Sequence, residues 1–318
     1  MDLIARRHRA GTPAGEHRDG ARLALAIEGG AARGAYSHGM AMGLEELGIL
    51  RCFDAVYGAS AGALNGAWLL CGRAIRAERA WHSDVVRRVI SPLRALRGGR
   101  VVDTRYLVHT VYERVVPMDF AAILDNPVTF HPIGTDITDG SAVDLRPHIT
   151  DVASLQRALR ATTCMPVLAG RPVTMAGRPY VDAGLSESVP IRTARAQGAT
   201  HIVVLRTKRA DEKPSSPSAF ERRVVGRALG RYGRPLAESW SVRSAQFAAD
   251  EQPTAADPTI LQIRPPLGAP TVGRVARDPA LLLQALDVGR RATVAALGRH
   301  LDPPNQSETG DRPDSISV

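Results

Sequence analysis

The chain has 318 residues, of which 44% are hydrophobic, and it carries a formal net charge of +9. A chain of this length can bury a substantial core, in one domain or in two. No stretch approaches the roughly 18 uninterrupted apolar residues of a membrane-spanning helix. Aromatic residues make up only 4% of the chain, which argues against stacking on nucleic-acid bases. The composition therefore favours a globular protein that neither spans a membrane nor binds nucleic acid.

The N-terminal 20 residues are charged and lack the apolar run of a secretory signal, which spans about 7–15 residues. We therefore expect residues 1–20 to form a flexible segment and the protein to stay in the cytoplasm. Peripheral contact with the inner face of the membrane stays open. Cys52, Cys71 and Cys164 are an odd, widely spaced set, which matches neither a disulfide framework nor a zinc site. No metal is predicted.

The first predicted elements alternate between strands and helices. A short buried strand at 22–27 leads through a glycine-rich turn into a helix at 35–47, whose apolar residues recur at helical spacing. A second strand at 53–57 leads through a tight turn into an apolar helix at 63–71. Alternation of this kind is typical of an α/β fold with a mainly parallel sheet.

The middle of the chain, from 75 to about 124, is predicted to be helical and basic, with breaks at Pro92, Gly98 and Gly99. The later predicted elements are strands at 128–134 and 142–145, a helix at 154–161, a hairpin at 172–181 that leads into Asp182, strands at 201–206 and 259–263, and a helix at 281–297. Strands from both ends of the chain are needed for one sheet, so we predict one domain over 21–300. A disordered tail is predicted at 301–318.

Positive charge concentrates in two segments. Residues 73–114 hold ten arginines and four acidic residues, and residues 206–234 hold nine basic and three acidic residues, a net charge of +6 each. Such segments can meet anionic lipid headgroups or form an ordinary solvated surface. The sequence leaves both open. Residues 208–218, rich in Lys, Pro and Ser, are the candidate for a mobile loop or lid.

A Gly-x-Ser-x-Gly pentapeptide at 58–62 is centred on Ser60, between a predicted strand and a predicted helix. A turn from strand to helix strains the backbone of its central residue, and flanking glycines relieve the crowding so that the hydroxyl projects outward. The following helix directs its N-terminal amides to the same place. This context predicts that Ser60 is a nucleophile rather than an ordinary turn residue.

A second glycine-rich loop, at 28–34, follows the first predicted strand. Loops after parallel strands gather at one edge of the sheet, where ligands bind. The backbone amides of Gly29, Gly30 and Ala31 are therefore candidates for an oxyanion hole, in which one lost donor costs about 2.7–4 kcal/mol of barrier. A dinucleotide site is not favoured, because Ala31 stands where the G-x-G-x-x-G fingerprint needs its second glycine.

A serine nucleophile needs a base. In an ordinary α/β-hydrolase a histidine would follow the acid, in a loop at the carboxyl end of a late strand. His201 begins its predicted strand, however, and His300 ends the last helix. Five further histidines lie in no motif, although position alone does not exclude them: His38, His82, His109, His131 and His148. The remaining candidate is Asp182, in a turn at the end of a predicted strand.

Together these features resemble the patatin-like phospholipase family, over roughly residues 22–206. Four segments resemble, in order, the family's oxyanion loop, its nucleophile elbow, the segment before its aspartate and its Asp-Gly-Gly/Ala motif: 28–34 (EGGAARG), 58–62 (GASAG), 160–166 (RATTCMP) and 182–184 (DAG). Ala31 and Ala183 stand where the family usually has glycine. The first of these departures raises the question whether the loop can adopt positive φ.

The resemblance implies a three-layer α/β/α fold with a mainly parallel central sheet and a Ser60–Asp182 dyad that needs no cofactor. It implies hydrolysis of lipid carboxylic esters through an acyl-enzyme. Arg33 would either contact a lipid phosphate or anchor the loop by a salt bridge. Two alternatives stay open, a lipid-binding or regulatory protein without turnover and a soluble esterase or thioesterase. The oligomeric state is not predicted.

Overall fold

The structure, a computed structural model, describes residues 2–166, 168–212 and 219–301. Its strands are β1 (Leu23–Ile27), β2 (Ala55–Ala59), β3 (Thr129–Asp136), β4 (Ala142–Asp144), β5 (Val173–Met175), β6 (Arg178–Asp182), β7 (His201–Leu205) and β8 (Ile260–Ile263). Its α-helices are α1 (Asp2–Ala10), α2 (Gly34–Glu46), α3 (Ala61–Leu70), α4 (Ser83–Val89), α5 (Thr104–Tyr106), α6 (Phe120–Leu124), α7 (Val152–Thr162), α8 (Ile191–Ala196), α9 (Ala219–Gly230), α10 (Arg234–Ala256) and α11 (Pro279–Leu301). Short 3₁₀ turns cover Ala31–Arg33, Leu50–Cys52, Arg76–Trp81, Pro92–Arg97, Arg146–His148 and Ala183–Leu185, and a π-helical segment covers Leu107–Val115.

In the described part of the chain the strands form one sheet, in the order β5-β6-β3-β2-β1-β7-β8, with β4 also paired to β3. The strands β3, β2, β1, β7 and β8 are parallel, whereas β4, β5 and β6 run antiparallel to their neighbours. In this register Ile27 pairs with both Gly58 and Leu205, so β1, β2 and β7 end level with one another. The loops that follow them therefore meet at one edge.

Both faces of the sheet are covered, which is the usual condition of a parallel sheet. Along β1, Leu25 and Ile27 pack into the core beneath α2, α3 and α11, whereas Ala24 and Ala26 pack into a second core that includes Ala194 of α8. This arrangement confirms the predicted three-layer α/β/α fold with a mainly parallel sheet. Among the described residues, no helix combines the length and the apolar character that crossing a bilayer requires.

The N-terminus differs from the expected flexible segment. Helix α1 packs against the core through Leu3 and Ile4, which are buried. The buried guanidinium of Arg7 forms salt bridges of 2.8 Å with both Asp19 and Asp54. These contacts fix the N-terminal segment on the body of the protein. Its many charged residues had indicated a solvent-exposed segment, because the partners of Arg7 cannot be identified from the segment alone.

The long helices α9 and α10 were not predicted. Of the proposed mobile loop at 208–218, residues 213–218 lie outside the described residues, as does the predicted tail beyond Leu301. The basic middle segment does consist of short helices separated by breaks, as expected from its proline and glycines.

Candidate active site

Ser60 lies in the turn between β2 and α3, with φ 52° and ψ −125°. This left-handed φ is strained for a residue with a side chain. The turn is tight enough to need glycine on both sides. A Cβ on Gly58 would lie 2.4 Å from the Cα of Ala63, and one on Gly62 would lie 2.3 Å from the carbonyl oxygen of Ile27. The pattern of the pentapeptide thus follows from close backbone contacts.

The hydroxyl of Ser60 donates a 2.8 Å hydrogen bond to Oδ2 of Asp182, the last residue of β6. The other carboxylate oxygen accepts a 2.7 Å bond from the amide of Gly184. Ser60 is 8% exposed and Asp182 is 3% exposed. Both oxygens of the carboxylate are therefore oriented, and one of them faces the serine hydroxyl directly.

Burial raises the pKa of Asp182 to about 6. The hydrogen bonds from the Gly184 amide and the Ser60 hydroxyl, and the charge of Arg274, act in the opposite direction and offset part of the effect. A carboxyl with this pKa is about nine-tenths ionised at pH 7 and is a stronger base than an exposed aspartate. The site thus supports proton transfer from Ser60 to Asp182.

One short segment, 160–166, holds the backbone of both Ser60 and Asp182. This segment was part of the family resemblance in the sequence but had no predicted role. The amide of Ser60 donates a 2.9 Å bond to the hydroxyl of Thr162, at the end of α7. The amide of Asp182 donates a 3.1 Å bond to the carbonyl of Cys164. Thr162 is a supporting residue that sequence reasoning missed, although it lies in the segment 160–166 that carried part of the family resemblance.

The glycine-rich loop packs directly against the serine turn, since a Cβ on Gly29 would lie 3.0 Å from the Cβ of Ser60. Its amides are not equivalent. The Gly29 amide donates a 2.9 Å bond to the carbonyl of Ser188, so it is not free to bind an oxyanion, in contrast to the prediction. Among the described residues, the amides of Gly30 and Ala31 have no hydrogen-bond acceptor. These two amides are therefore the remaining candidates for hydrogen-bond donors to an oxyanion.

Ala31 stands where the family usually has glycine, and it nevertheless adopts a positive φ of 52°. The loop therefore keeps the left-handed conformation that glycine would favour, at the cost of backbone strain. The next residue, Ala32, donates its amide to the carbonyl of Arg274 at 3.0 Å. This bond ties the far side of the loop to the segment before α11.

The ion pair that anchors the loop belongs to Arg206 rather than Arg33. Nε of Arg206 lies 3.1 Å from Oε2 of Glu28, and both side chains are buried. The amide of Thr207 donates a 2.8 Å bond to the same carboxylate oxygen. Sequence reasoning had not singled out Arg206, which sits at the end of β7 beside the start of the loop.

Three cations gather beside this loop: Arg33, Lys208 and Arg274. Burial lowers the pKa of Arg33 and the charge of Arg274 acts in the same direction, whereas the charges of Glu28 and Glu212 act against it. Burial also lowers the pKa of Lys208, together with the charges of Arg33 and Arg274, and the same two carboxylates oppose the shift. Within residues 2–166, 168–212 and 219–301, none of the three forms a side-chain salt bridge, and the Nε of Arg33 is buried without a hydrogen-bond partner. The cluster has an excess of positive charge.

Ser60 and Asp182 line a cavity of about 620 Å³. The glycine-rich loop forms part of the cavity lining, and Arg33, Lys208 and Arg274 line the cavity as well. Much of the remaining lining is apolar: Leu64, Trp68, Trp81, Val86, Val89, Ile90, Val102, Leu107, Leu168 and Ala169. The described residues contain no group of three or more His, Cys, Asp or Glu side chains that could hold a metal ion.

None of the nine histidines, all of them in the described ranges, hydrogen-bonds to Ser60. His38 lines the cavity, but its ring nitrogens lie 3.1 Å from Oδ1 of Asn65 and 2.9 Å from the carbonyl of Ala74. Burial lowers the pKa of His38 to about 4, so the ring is neutral at pH 7. His131 is paired instead with Asp144, at 2.7 Å. Asp182 remains the base candidate by geometry.

Comparison with known proteins places this geometry in context. The family model described as patatin-like phospholipase matches residues 25–195, more than half of the chain. The uncharacterized protein YjjU of Escherichia coli is 30% identical over 194 residues, which cover 58% of this chain and 52% of that protein. The chain thus matches about half the length of this curated relative.

Two solved structures are also similar. The crystal structure of VipD from Legionella pneumophila has a TM-score of 0.43 and 12% identity, covering 88% of this chain and 67% of that chain. Human GIVD cytosolic phospholipase A2, in complex with methyl gamma-linolenyl fluorophosphonate inhibitor and terbium chloride, has a TM-score of 0.43 and 14% identity, covering 94% of this chain and 62% of that chain.

Proposed function

Because the chain belongs to the patatin-like phospholipase family, we propose that it is a serine lipid acyl hydrolase, which cleaves carboxylic esters of lipids through an acyl-enzyme on Ser60. The observation that carries the proposal is the 2.8 Å hydrogen bond from the Ser60 hydroxyl to the buried Asp182 carboxylate, inside a cavity with extensive apolar walls.

In the first half of the reaction, Oγ of Ser60 attacks the ester carbonyl carbon while Asp182 takes the hydroxyl proton. The carbonyl oxygen becomes an oxyanion, which accepts hydrogen bonds from the amides of Gly30 and Ala31. The intermediate then collapses with cleavage of the bond to the leaving oxygen. Asp182 returns its proton to that oxygen, so the alcohol leaves and the acyl group stays on Ser60.

In the second half, a water molecule attacks the acyl-enzyme while Asp182 accepts one of its protons. A second oxyanion forms and collapses, the fatty acid leaves, and the proton on Asp182 passes back to Oγ of Ser60. One ester and one water are thus converted into one acid and one alcohol. A single carboxylate acts alternately as base and acid, and no cofactor takes part.

The substrate class follows from the two kinds of wall. Apolar side chains can enclose an acyl chain, and burying each methylene stabilises the complex by about 0.8 kcal/mol. The cluster of Arg33, Lys208 and Arg274 can bind an anionic headgroup, since charge-assisted hydrogen bonds from arginine or lysine to phosphate are among the strong ones. We therefore assign Arg33 to phosphate contact, because Arg206 already anchors the loop. A phospholipid meets both requirements.

Three purified proteins test the proposal on a soluble p-nitrophenyl ester: wild type, Ser60→Ala and Asp182→Asn. Each substitution should lower kcat by roughly 10⁴–10⁶-fold, the range seen when a member of a coupled nucleophile and base is removed. Fluorophosphonate labelling followed by peptide mapping should locate the label on Ser60.

Ser241→Ala and Asp125→Asn are matched controls, because both residues are exposed. Both variants should keep full activity and full labelling. Full turnover by Asp182→Asn would remove the aspartate from the mechanism. Vesicle binding without labelling or turnover in the wild type would instead indicate a lipid-binding protein without catalysis.

A further inference from the structure

Two leucines stand in solvent on the 3₁₀ turn Pro92–Arg97, here called the exposed turn. Leu93 is 68% exposed and Leu96 is 84% exposed. No other large hydrophobic side chain in the described part of the chain is as exposed as Leu96. Single exposed apolar residues are common, but two on one short protruding turn form a small apolar surface.

The exposed turn is held firmly at its base. The amide of Ser91 donates to the carbonyl of Val101 at 2.8 Å, and the amide of Gly99 donates to the carbonyl of Arg94 at 2.8 Å. The side chain of Arg94 points back to the base and donates to the carbonyls of Val89 and Val101. The leucines are therefore presented on a closed loop rather than on a loose chain.

The turn lies in a segment rich in positive charge. Residues 87–105 contain six arginines and one acidic residue, Asp103. Arg94 is used at the base of the turn, but five arginines of this segment are exposed: Arg87, Arg88, Arg97, Arg100 and Arg105. An apolar tip in a segment rich in exposed arginines complements a surface that is negatively charged outside and apolar beneath.

The turn is continuous with the wall of the active-site cavity. Val89 and Ile90 precede it, Val102 follows it, and all three line the cavity. Ile90 and Val102 pair as an antiparallel bridge, and the amide of Val102 donates to the carbonyl of Leu168, another lining residue, at 2.9 Å. The outer end of this wall is therefore the exposed turn.

From these observations we propose that the exposed turn docks the enzyme on an anionic lipid bilayer. Leu93 and Leu96 enter the acyl region, and Arg97 and Arg100 contact the headgroup phosphates. The apolar wall then connects the bilayer with the cavity that holds Ser60. This inference rests on the proposed lipid hydrolase function for its biological meaning, although binding itself can be measured without turnover.

The leucines favour a bilayer over other anionic partners. A nucleic acid would be met by arginines alone, without a use for two exposed aliphatic side chains. A second copy of this chain would bring two strongly basic surfaces together, which costs electrostatic free energy. An anionic bilayer satisfies both the charge and the apolar tip.

The test measures co-sedimentation of Ser60→Ala protein with vesicles of phosphatidylcholine alone, or of phosphatidylcholine and phosphatidylglycerol in equal parts. The parent should bind the anionic vesicles more strongly, and added salt should weaken binding. Adding Leu93→Ser and Leu96→Ser should weaken partitioning by about tenfold or more. Adding Arg97→Ser and Arg100→Ser should weaken it by about fivefold per arginine.

Matched controls lie at the opposite edge of the sheet. Leu124→Ser removes a leucine that is 38% exposed, on α6 just before the amino end of β3. The pair Arg6→Ser and Arg9→Ser removes two exposed charges from α1. These variants should bind as the parent does, and thermal melts should show that all variants are folded.

Turnover separates this inference from the proposed function. With Ser60 intact, Leu93→Ser with Leu96→Ser should reduce hydrolysis of vesicle phospholipid while leaving hydrolysis of a soluble p-nitrophenyl ester unchanged. If the wild type does not hydrolyse the soluble ester, the proposed function is refuted. The vesicle-binding measurements would still test whether the exposed turn docks on a bilayer. Unchanged vesicle binding by the leucine variant would overturn it. A dimer that the leucine substitutions dissociate would overturn it as well, in favour of a second copy.

Discussion

The Thr162 hydroxyl accepts a 2.9 Å hydrogen bond from the Ser60 amide. Thr162 is fully buried, and it stands 102 positions from Ser60 in the chain. Since Cys164, two residues later, accepts a bond from the Asp182 amide, one short segment supports the backbone of both members of the dyad. The relative position of nucleophile and base therefore depends on residues that touch neither the ester nor the water.

We expect Thr162→Val to leave the Ser60 amide buried without an acceptor. Such a loss costs about 1–3 kcal/mol of stability, and the displaced turn should lower kcat with little change in KM. Thr162→Ser keeps the hydroxyl and should restore most of kcat, which separates the hydrogen bond from packing. Equal kinetics for the valine and serine variants would show that the bond has no positioning role.

The raised pKa of Asp182, to about 6, predicts the acid limb of the activity profile. Asp182 must be ionised to accept the serine proton, so kcat/KM should rise with pH and reach half of its maximum near pH 6. At pH 5 it should be about a tenth of the maximum. The measurement uses an uncharged soluble ester, and the residual activity of Asp182→Asn provides the control. A flat profile between pH 5 and 8 would contradict the assignment.

The same pKa predicts a stability penalty. Well below pH 3.8 the carboxyl is protonated in both the folded and the unfolded state, so it has no effect on stability. As pH rises from 3.8 to about 6, the unfolded chain loses this proton first and the folded protein is destabilised. Above that range the penalty is constant and on the order of 3 kcal/mol. Denaturant unfolding should therefore show Asp182→Asn gaining stability over wild type between pH 4 and 7, with Asp125→Asn controlling for the change of charge.

Ala31→Gly should relieve the strain of a φ of 52°. The gain is expected to be roughly 0.5–1 kcal/mol, because the relief exceeds the entropy that glycine adds to the unfolded chain. Activity should be kept, since the amide at position 31 remains. Ala176→Gly is a matched control in the β5–β6 turn, with a φ of 46°. It should gain similar stability with no change in kcat. Loss of activity in Ala31→Gly alone would indicate that the strained loop is needed for catalysis.

Removing charge from the cationic cluster should change headgroup selectivity. Arg33→Met and Lys208→Met should each lower kcat/KM for a phospholipid more than for a neutral ester with the same acyl chain, by about 10–100-fold, since a charged hydrogen bond contributes about 1.5–3 kcal/mol. Arg51→Met, an exposed arginine ahead of β2, serves as the control. An equal loss of kcat/KM on both substrates would indicate that these side chains support the glycine-rich loop rather than bind the headgroup.

Local pattern in the sequence determined much of this protein. The two glycine-rich turns and the aspartate at a strand end could be located because such turns depend on neighbouring residues. Alternation of strands and helices indicated the layered sheet, since hydrophobic period follows backbone geometry. The meeting of Ser60 with the glycine-rich loop at one edge then follows from parallel strands, whereas Asp182 ends β6, which runs antiparallel to β3.

Only the tertiary structure decided which backbone amides and charged side chains already have a hydrogen-bond or ion-pair partner. The Gly29 amide is taken by Ser188, the loop is anchored by Arg206, and Arg7 holds α1 through distant aspartates. These contacts join residues far apart in the chain, so no local spacing encodes them. Ala31 shows the same limit, because intrinsic preference opposes positive φ and the surrounding contacts override it. Hydrogen-bond partners depend on the path of the whole chain, whereas turns and periodicity depend on a few consecutive residues.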